Sequence, residues 1–311
     1  ELGIFIHPIR VRDNLQLGAQ QYVIRLKGVE IARSELLPES LLAMNTRPDT
    51  GEISGSPTTE PAFGLPAVWI EKDQKTAAES EGFTVVEPAA VLATHLSEII
   101  RSHADELLSR QDVKDMCESV REFAPSLIED LIPDKVPVNT LHNVLRSLLH
   151  ERIPVRDIVT ILETLANYAG AGLGTDILVE KVREALGRSI TAQNKGPDGR
   201  LHEVSLHPAT EQVLLRAGHD SESGQGLVLD PDFTRDLLGS LETVLRRAYA
   251  NGPQPVLLVP TAIRLFVKRL VEPTYPNLAV MGYTEVSASA SIHSAGTVVT
   301  HGSPQEQAAD A

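Results

Sequence analysis

The sequence predicts an α+β protein built from several subdomains. Its hydrophobic period switches from strand-like to helical near Pro88 and returns to strand-like after Gly187. Its 311 residues correspond to roughly two domains at about 150 residues each. Hydrophobic residues make up 42% of the chain, enough to fill real cores and exclude global disorder. Aromatic residues are only 4%, so those cores are built mainly of Leu, Ile, Val and Ala.

The first stretch alternates short apolar runs with turns. Tyr22 to Leu26 and Val29 to Ile31 flank Lys27-Gly28, which reads as a β-hairpin because glycine supplies the turn and the flanks are β-branched or aromatic. Residues 46–62, rich in Pro, Gly, Thr and Ser, read as a loop. Ala67 to Ile70 is a short buried strand. A small helix near 73–81 ends at Gly82, and Phe83 to Val86 is another strand.

From Pro88, apolar residues recur at three- and four-residue steps through Val91, Leu92, Leu96, Ile99, Ile100, Leu107 and Leu108, predicting one long amphipathic helix. Val113 to Val120 repeats the pattern, and Leu127, Ile128, Leu131 and Ile132 continue it. Leu141 to Leu149 forms the next helix. Pro154 is placed at a first helical position ahead of Ile158 to Leu165, and Thr175 caps a last helix ending near Leu186. This central block is a helical bundle with short Pro- or Gly-marked turns. Strands then return. Leu201 to Leu206 alternates; Asp230-Pro231 opens a helix running from Phe233 through Leu245 to Asn251-Gly252. Val256 to Val259 is a buried strand and Ile263 to Val271 a helix. Leu278 to Val286 is a strand, with Ile292 to Val299 its partner. Residues 300–311 are small and polar, and are expected to be disordered.

The net charge of −14 repels phosphate backbones and anionic lipid, which argues against nucleic-acid or membrane-surface binding. Cys117 is the only cysteine, so an intrachain disulfide, a CxxC pair and a cysteine zinc cage are excluded. No run approaches the ~18–20 apolar residues that cross a bilayer, and no signal-peptide pattern opens the chain. Because it starts on Glu1 rather than Met, it is expected to be a piece of a longer or processed protein.

Catalytic signatures are absent. His95 and His103 are eight residues apart, as are His142 and His150, and are read as solvated helix surface rather than metal ligands. Gly170 to Gly174 follows a helix and lacks the Lys-Ser/Thr of a phosphate loop, so it reads as a helix–helix connection. The chain has no GxSxG elbow. Glu129-Asp130 reads as helix surface, and Cys117, on an amphipathic helix without a basic neighbour placed to favour a thiolate, as a buried small hydrophobe. The expectation is a binding protein with no cofactor and no metal.

One segment stands apart. Glu60-Pro61-Ala62-Phe63-Gly64-Leu65-Pro66-Ala67-Val68-Trp69-Ile70 sets the sole Trp and a Phe beside two prolines and a glycine. Aromatics on a proline-stiffened loop bury large area at little ordering cost. Trp69, inside a strand-like run, is expected in the core. Phe63, at the loop-to-strand junction, fits either a core or an exposed position.

This segment resembles the cytoplasmic domain of the FlhA family, the large inner-membrane components of the flagellar type III export apparatus. Further blocks carry the resemblance: His7 to Asn14, Phe83 to Glu87 leading to Val91-Leu92-Ala93-Thr94-His95-Leu96, Arg110-Gln111, Val155 to Ala166, Val182 to Arg188, and Val256 to Val259. Together they span about residues 2–286. A virulence-type secretion homologue shares the architecture, but the Phe63 to Ile70 and Ala93 to Leu96 blocks are more flagellar in character.

The resemblance implies four subdomains: an interrupted thioredoxin-like one (1–38 with 88–107), a small α/β insert (39–87), a helical bundle (108–187) and a C-terminal α/β part (188–299). Without a CxxC pair, the thioredoxin-like part implies no redox chemistry. The family's membrane half, its linker and the opening elements of the first subdomain would precede Glu1. The resemblance also implies a docking platform: a nine-membered ring at the cytoplasmic face of the bacterial inner membrane, binding export chaperones with their substrates. Its partners would be those chaperones, other export-apparatus components and further copies of itself, with no nucleic acid and no small-molecule substrate. In the family, chaperones meet a hydrophobic dimple made by the acid and Phe of Asp-Pro-x-Phe-Gly and the Thr of Ala-Thr-His-Leu. Those positions are Glu60, Phe63 and Thr94 here, with Glu60 standing for the usual Asp; Leu65, Val86 and Val91 are expected to line the wall.

Overall fold

The computed structural model describes residues 2–46, 51–222, 229–252 and 254–300. It shows a mixed α/β chain that divides into two units, residues 1–112 and 113–311.

In the first unit, β1 (Gln21–Leu26) and β2 (Val29–Glu35) pair antiparallel. Lys27 and Gly28 between them have φ of 52° and 87°, the two left-handed residues of a type I′ hairpin turn. β3 (Leu41–Met44), β4 (Ser56–Thr59), β5 (Pro66–Ile70) and β6 (Thr84–Val86) form an antiparallel sheet in the order β4-β5-β3-β6. α1 (Lys75–Ser80) lies between β5 and β6. It ends in a Schellman motif: the Phe83 N–H donates to the Ala78 carbonyl, the Gly82 N–H donates to that of Glu79, and Gly82 has φ 89°. α2 (Pro88–Ser102) opens on a proline whose missing N–H costs nothing at a first turn, and α3 (Ala104–Leu107) follows.

Strand alternation divides this unit's core between the two faces of the sheet. Leu41, Ala43 and Ile70 meet Ala78 and Phe83 on one face. Leu42, Ala67 and Trp69 meet Val91 of α2 on the other, with Val86 at the margin. Trp69 is therefore core, as the strand-like run implies.

α4 (Arg110–Arg121) starts in the last residues of the first unit and runs into the second, which continues with α5 (Pro125–Glu129), α6 (Val138–His150), α7 (Ile158–Tyr168), α8 (Thr175–Ala185) and α9 (Gly187–Gln193). They are followed by β7 (Leu201–Leu206), α10 (Pro208–Glu222), α11 (Pro231–Asn251), β8 (Val256–Val259), α12 (Arg264–Val271), β9 (Val280–Gly282) and β10 (Ile292–Val298). These four strands are all parallel, in the order β10-β7-β8-β9, and the sheet packs against α11 and α12 through Leu241, Leu245, Val267 and Val271. Cys117 is buried, and Gly170 to Gly174 joins α7 to α8.

A buried ion network ties the helices of this unit to its sheet. Arg264, fully buried, donates to both Glu180 and Glu151; Arg183 donates to Glu151 at 3.0 Å and, through two nitrogens, to Glu285 at 2.7 and 2.8 Å.

Several expectations need correction. The helix from Pro88 stops at Ser102, because His103 leaves helical geometry (φ −117°, ψ 23°), and Leu107 belongs to the separate α3. Leu127 and Ile128 lie on the short α5, while Leu131 and Ile132 fall after it in a turn. Pro154 does not start α7. Asp157 caps it, accepting the Thr160 N–H at 3.2 Å, so the start is set by a side-chain acceptor. Gly174 occupies the cap of α8, and Thr175 is already helical. The strand at 278–286 is only Val280–Gly282, and its partner is β8 rather than Ile292–Val298, which pairs with β7 at the opposite edge; a 3-10 turn (Tyr283–Glu285) then carries Glu285 inward to Arg183. The loop at 46–62 contains β4, a polar strand at the sheet edge, and its residues 47–50 lie outside the described ones. Helix continues past Gly187 through α9, and α10 follows β7 where no helix is expected. Of the tail at 300–311 only Thr300 is described: it is buried and shares a 3.0 Å hydrogen bond with Thr210.

Candidate functional site

The turn between β4 and β5 is closed by its own backbone. The Glu60 N–H donates to the Leu65 carbonyl at 2.8 Å, and the Gly64 N–H to the Glu60 carbonyl at 3.0 Å. Gly64 has φ 70°, a conformation that costs an L-residue energy. Pro61 fixes φ and brings no N–H of its own, so the next two N–H groups face the Glu60 side chain. Its Oε1 accepts from the Ala62 N–H at 2.9 Å and its Oε2 from the Phe63 N–H at 2.7 Å. Glu60 is 2% exposed, a carboxylate taken out of water and supplied with backbone donors instead.

This arrangement holds the Phe63 ring outward. Phe63 is 60% exposed, which resolves its two sequence readings in favour of the surface. Leu65 and Val86 are half-buried, and Thr94 and Leu92 are both exposed on α2. Val91 is buried in the core with Trp69 and Ala67, so it supports the surface from beneath rather than facing solvent. Both Glu60 oxygens are committed to the turn. What the turn presents is therefore an aromatic ring, with the carboxylate behind it.

The structure adds two residues. His95, four positions after Val91 on α2, is 4% exposed, against the expectation of a solvated surface. A residue at i+4 from a core valine shares its inward face; that spacing was the available signal. Its Nδ1 lies 2.6 Å from the Tyr22 hydroxyl of β1, and the two rings meet edge to face at 5.7 Å. Burial lowers the pKa of His95 from its ordinary value, and the Glu60 charge opposes that shift. Burial raises the pKa of Tyr22; a hydrogen bond with Ser34 opposes this and Glu60 adds to it. Glu60 thus lies within electrostatic reach of both rings. The Tyr22–His95 bond joins the β1–β2 hairpin to α2, the helix that carries Thr94, and the Glu60 charge reaches both rings. Of the other paired histidines, His150 is exposed and lies 3.2 Å from Glu272.

Comparison with known proteins gives consistent matches. The chain is 37% identical to the flagellar biosynthesis protein FlhA of Bacillus subtilis and 39% identical to that of Escherichia coli, over 96% of its own length in each case. It spans 44% and 42% of those two proteins, less than half of either. Among solved structures, the complex of the Chlamydia pneumoniae CdsV and CdsO proteins matches with a TM-score of 0.83 and 28% identity, covering 96% of this chain and 86% of that one. Among the described residues no helix is long and apolar enough to cross a membrane. The profile of the FHIPEP family matches residues 1–291, and with these relatives it establishes that the chain belongs to that family.

Proposed function

We propose that this chain is a docking platform of the flagellar type III export gate, without a reaction of its own, and that the Phe63 turn receives export chaperones carrying their substrates. The single observation that carries this reading is the exposed Phe63 ring on a turn whose backbone is already fixed by Glu60. A preordered aromatic loses little freedom on binding. Covering an apolar side chain there contributes about 1.5–3 kcal/mol before ordering costs. Leu65 and Val86 widen the apolar surface, Thr94 offers a hydroxyl at its rim, and Val91 braces it from within. Glu60 serves the partner through Phe63. The expected mode is an amphipathic helix laid into the hollow. A conveyor has to release what it binds, so the affinity is set at micromolar order, about −8 kcal/mol.

Family membership supports the wider setting: a membrane-anchored protein whose cytoplasmic part assembles as a ring of nine copies on the inner membrane, each copy divided into a thioredoxin-like subdomain with its insert, a helical bundle and an α/β end. The alternative, a virulence-type secretion gate, shares this physics. The 37–39% identity to flagellar proteins, against 28% to CdsV, favours the flagellar assignment.

Site-specific photo-crosslinking tests the reading. With a benzophenone amino acid in place of Phe63, irradiation is expected to trap the chaperone of a chaperone–substrate complex. No crosslink from residue 63, while the same amino acid at another exposed position such as Phe123 traps the complex, contradicts it.

A further inference from the structure

We infer that Tyr22 and His95 are positioning residues for the docking turn: their hydrogen bond gives the Glu60 carboxylate a polar setting and so fixes the direction in which Phe63 points. The inference rests on the docking reading above and extends it to residues that do not touch a partner.

His95 is almost wholly buried. An imidazole as enclosed as His95 has to find a partner for its polar atoms, and the Tyr22 hydroxyl is that partner at 2.6 Å. Enclosure favours the neutral ring, which has one nitrogen acceptor and one N–H donor. The phenol keeps its proton, since burial and the nearby carboxylate both disfavour the phenolate. The assignment that satisfies both groups has the Tyr22 O–H donating to Nδ1 and the proton of His95 on Nε2.

α2 packs on the strand that the Glu60 turn leads into: Val91, one helical turn before His95, meets Ala67 and Trp69 of β5. The Glu60 charge acts on Tyr22 and His95 alike, and its two oxygens hold the N–H groups of Ala62 and Phe63. A carboxylate with almost no exposure depends on every dipole around it. If the Tyr22–His95 bond is removed, an unsatisfied imidazole or an apolar gap is left within the field of that carboxylate. The cheapest relief is for the carboxylate to swing toward water, which releases the two N–H groups and lets the ring drift. The pair also joins β1 to α2, so the hairpin, the helix with Thr94 and the Phe63 turn share one polar centre.

The test uses the whole domain with Tyr22→Phe, His95→Leu, His95→Asn and Phe63→Ala. Two readouts are taken: calorimetric titration with a flagellar chaperone bound to its export substrate, and amide hydrogen exchange at Ala62 and Phe63. Tyr22→Phe and His95→Leu are expected to weaken binding about 3- to 10-fold, the value of one hydrogen bond, and to speed exchange at both amides. His95→Asn, which keeps an acceptor near the Nδ1 position, is expected to restore both. On a Phe63→Ala background Tyr22→Phe is expected to cost no further affinity. Unchanged exchange and affinity in Tyr22→Phe, while Phe63→Ala abolishes binding, overturns the positioning role and leaves the docking reading standing. Unchanged affinity in Phe63→Ala overturns both. Should His95→Leu fail to fold, Tyr22→Phe decides alone, since it removes a single oxygen.

Discussion

The Glu60 carboxylate accepts the Phe63 backbone N–H at 2.7 Å, three residues along the same turn, so a buried acid sets the posture of an exposed ring. Glu60→Gln keeps the shape but turns an N–H₂ toward one of the two backbone donors. The loss is expected to be about 1–3 kcal/mol, the cost of leaving a buried donor unsatisfied, and urea unfolding of the domain measures it. Glu60→Asp shortens the reach and is expected to retain part of the stability.

Gly64→Ala is a finer probe of the same turn. Nothing lies within 4 Å of where its Cβ would sit, so no clash arises, but φ is +70°. The expected cost is about 1–2 kcal/mol of backbone strain, read by thermal unfolding. Gly64→Asn, which tolerates that conformation better, is expected to cost less.

His95 makes a pH prediction with a definite sign. Its folded pKa lies below the ordinary 6.5 because burial disfavours the cation. The unfolded chain therefore binds more protons as pH falls below 6.5, and stability drops with it. The contribution is fully present above that value. Comparing wild type with His95→Asn between pH 7.5 and 5 by urea midpoint is expected to show a steeper acid loss in the wild type.

The second unit is expected to be sensitive to Arg264, which is fully buried against Glu151 and Glu180. Arg264→Met takes the guanidinium from buried Glu180 and leaves Glu151 with Arg183 alone. Removing one member of a buried pair costs about 3–5 kcal/mol. Chemical denaturation of the variant measures this. An exposed pair such as Arg235–Asp232, broken as a control, is expected to change stability by less than about 1 kcal/mol.

Local rules made much of the fold legible. Lys27-Gly28 between β-branched runs gives the hairpin, Pro88 and Asp230-Pro231 mark helix starts, and the inward face of Trp69 follows from strand alternation. Interactions that depend on distant partners were hidden. β4 is polar and at an edge, so Ser56 to Thr59 carried no hydrophobic signal. Glu285 ends a strand early because Arg183, far away in sequence, draws it inward. In the docking region Phe63 stood out by composition, yet its exposure followed only from the turn geometry that commits both Glu60 oxygens. Tyr22 and His95 sit in different blocks, and nothing local announces that they meet.

Titration of a flagellar chaperone–substrate complex into the wild-type domain and Phe63→Ala, with unfolding of both proteins followed in parallel, bears most directly on the central claim. A ring that faces solvent for a partner's sake predicts at least a tenfold weaker complex, about 1.4 kcal/mol, with stability changed by no more than about 0.5 kcal/mol. Equal affinity for the two proteins, or a large fall in stability instead, would contradict it.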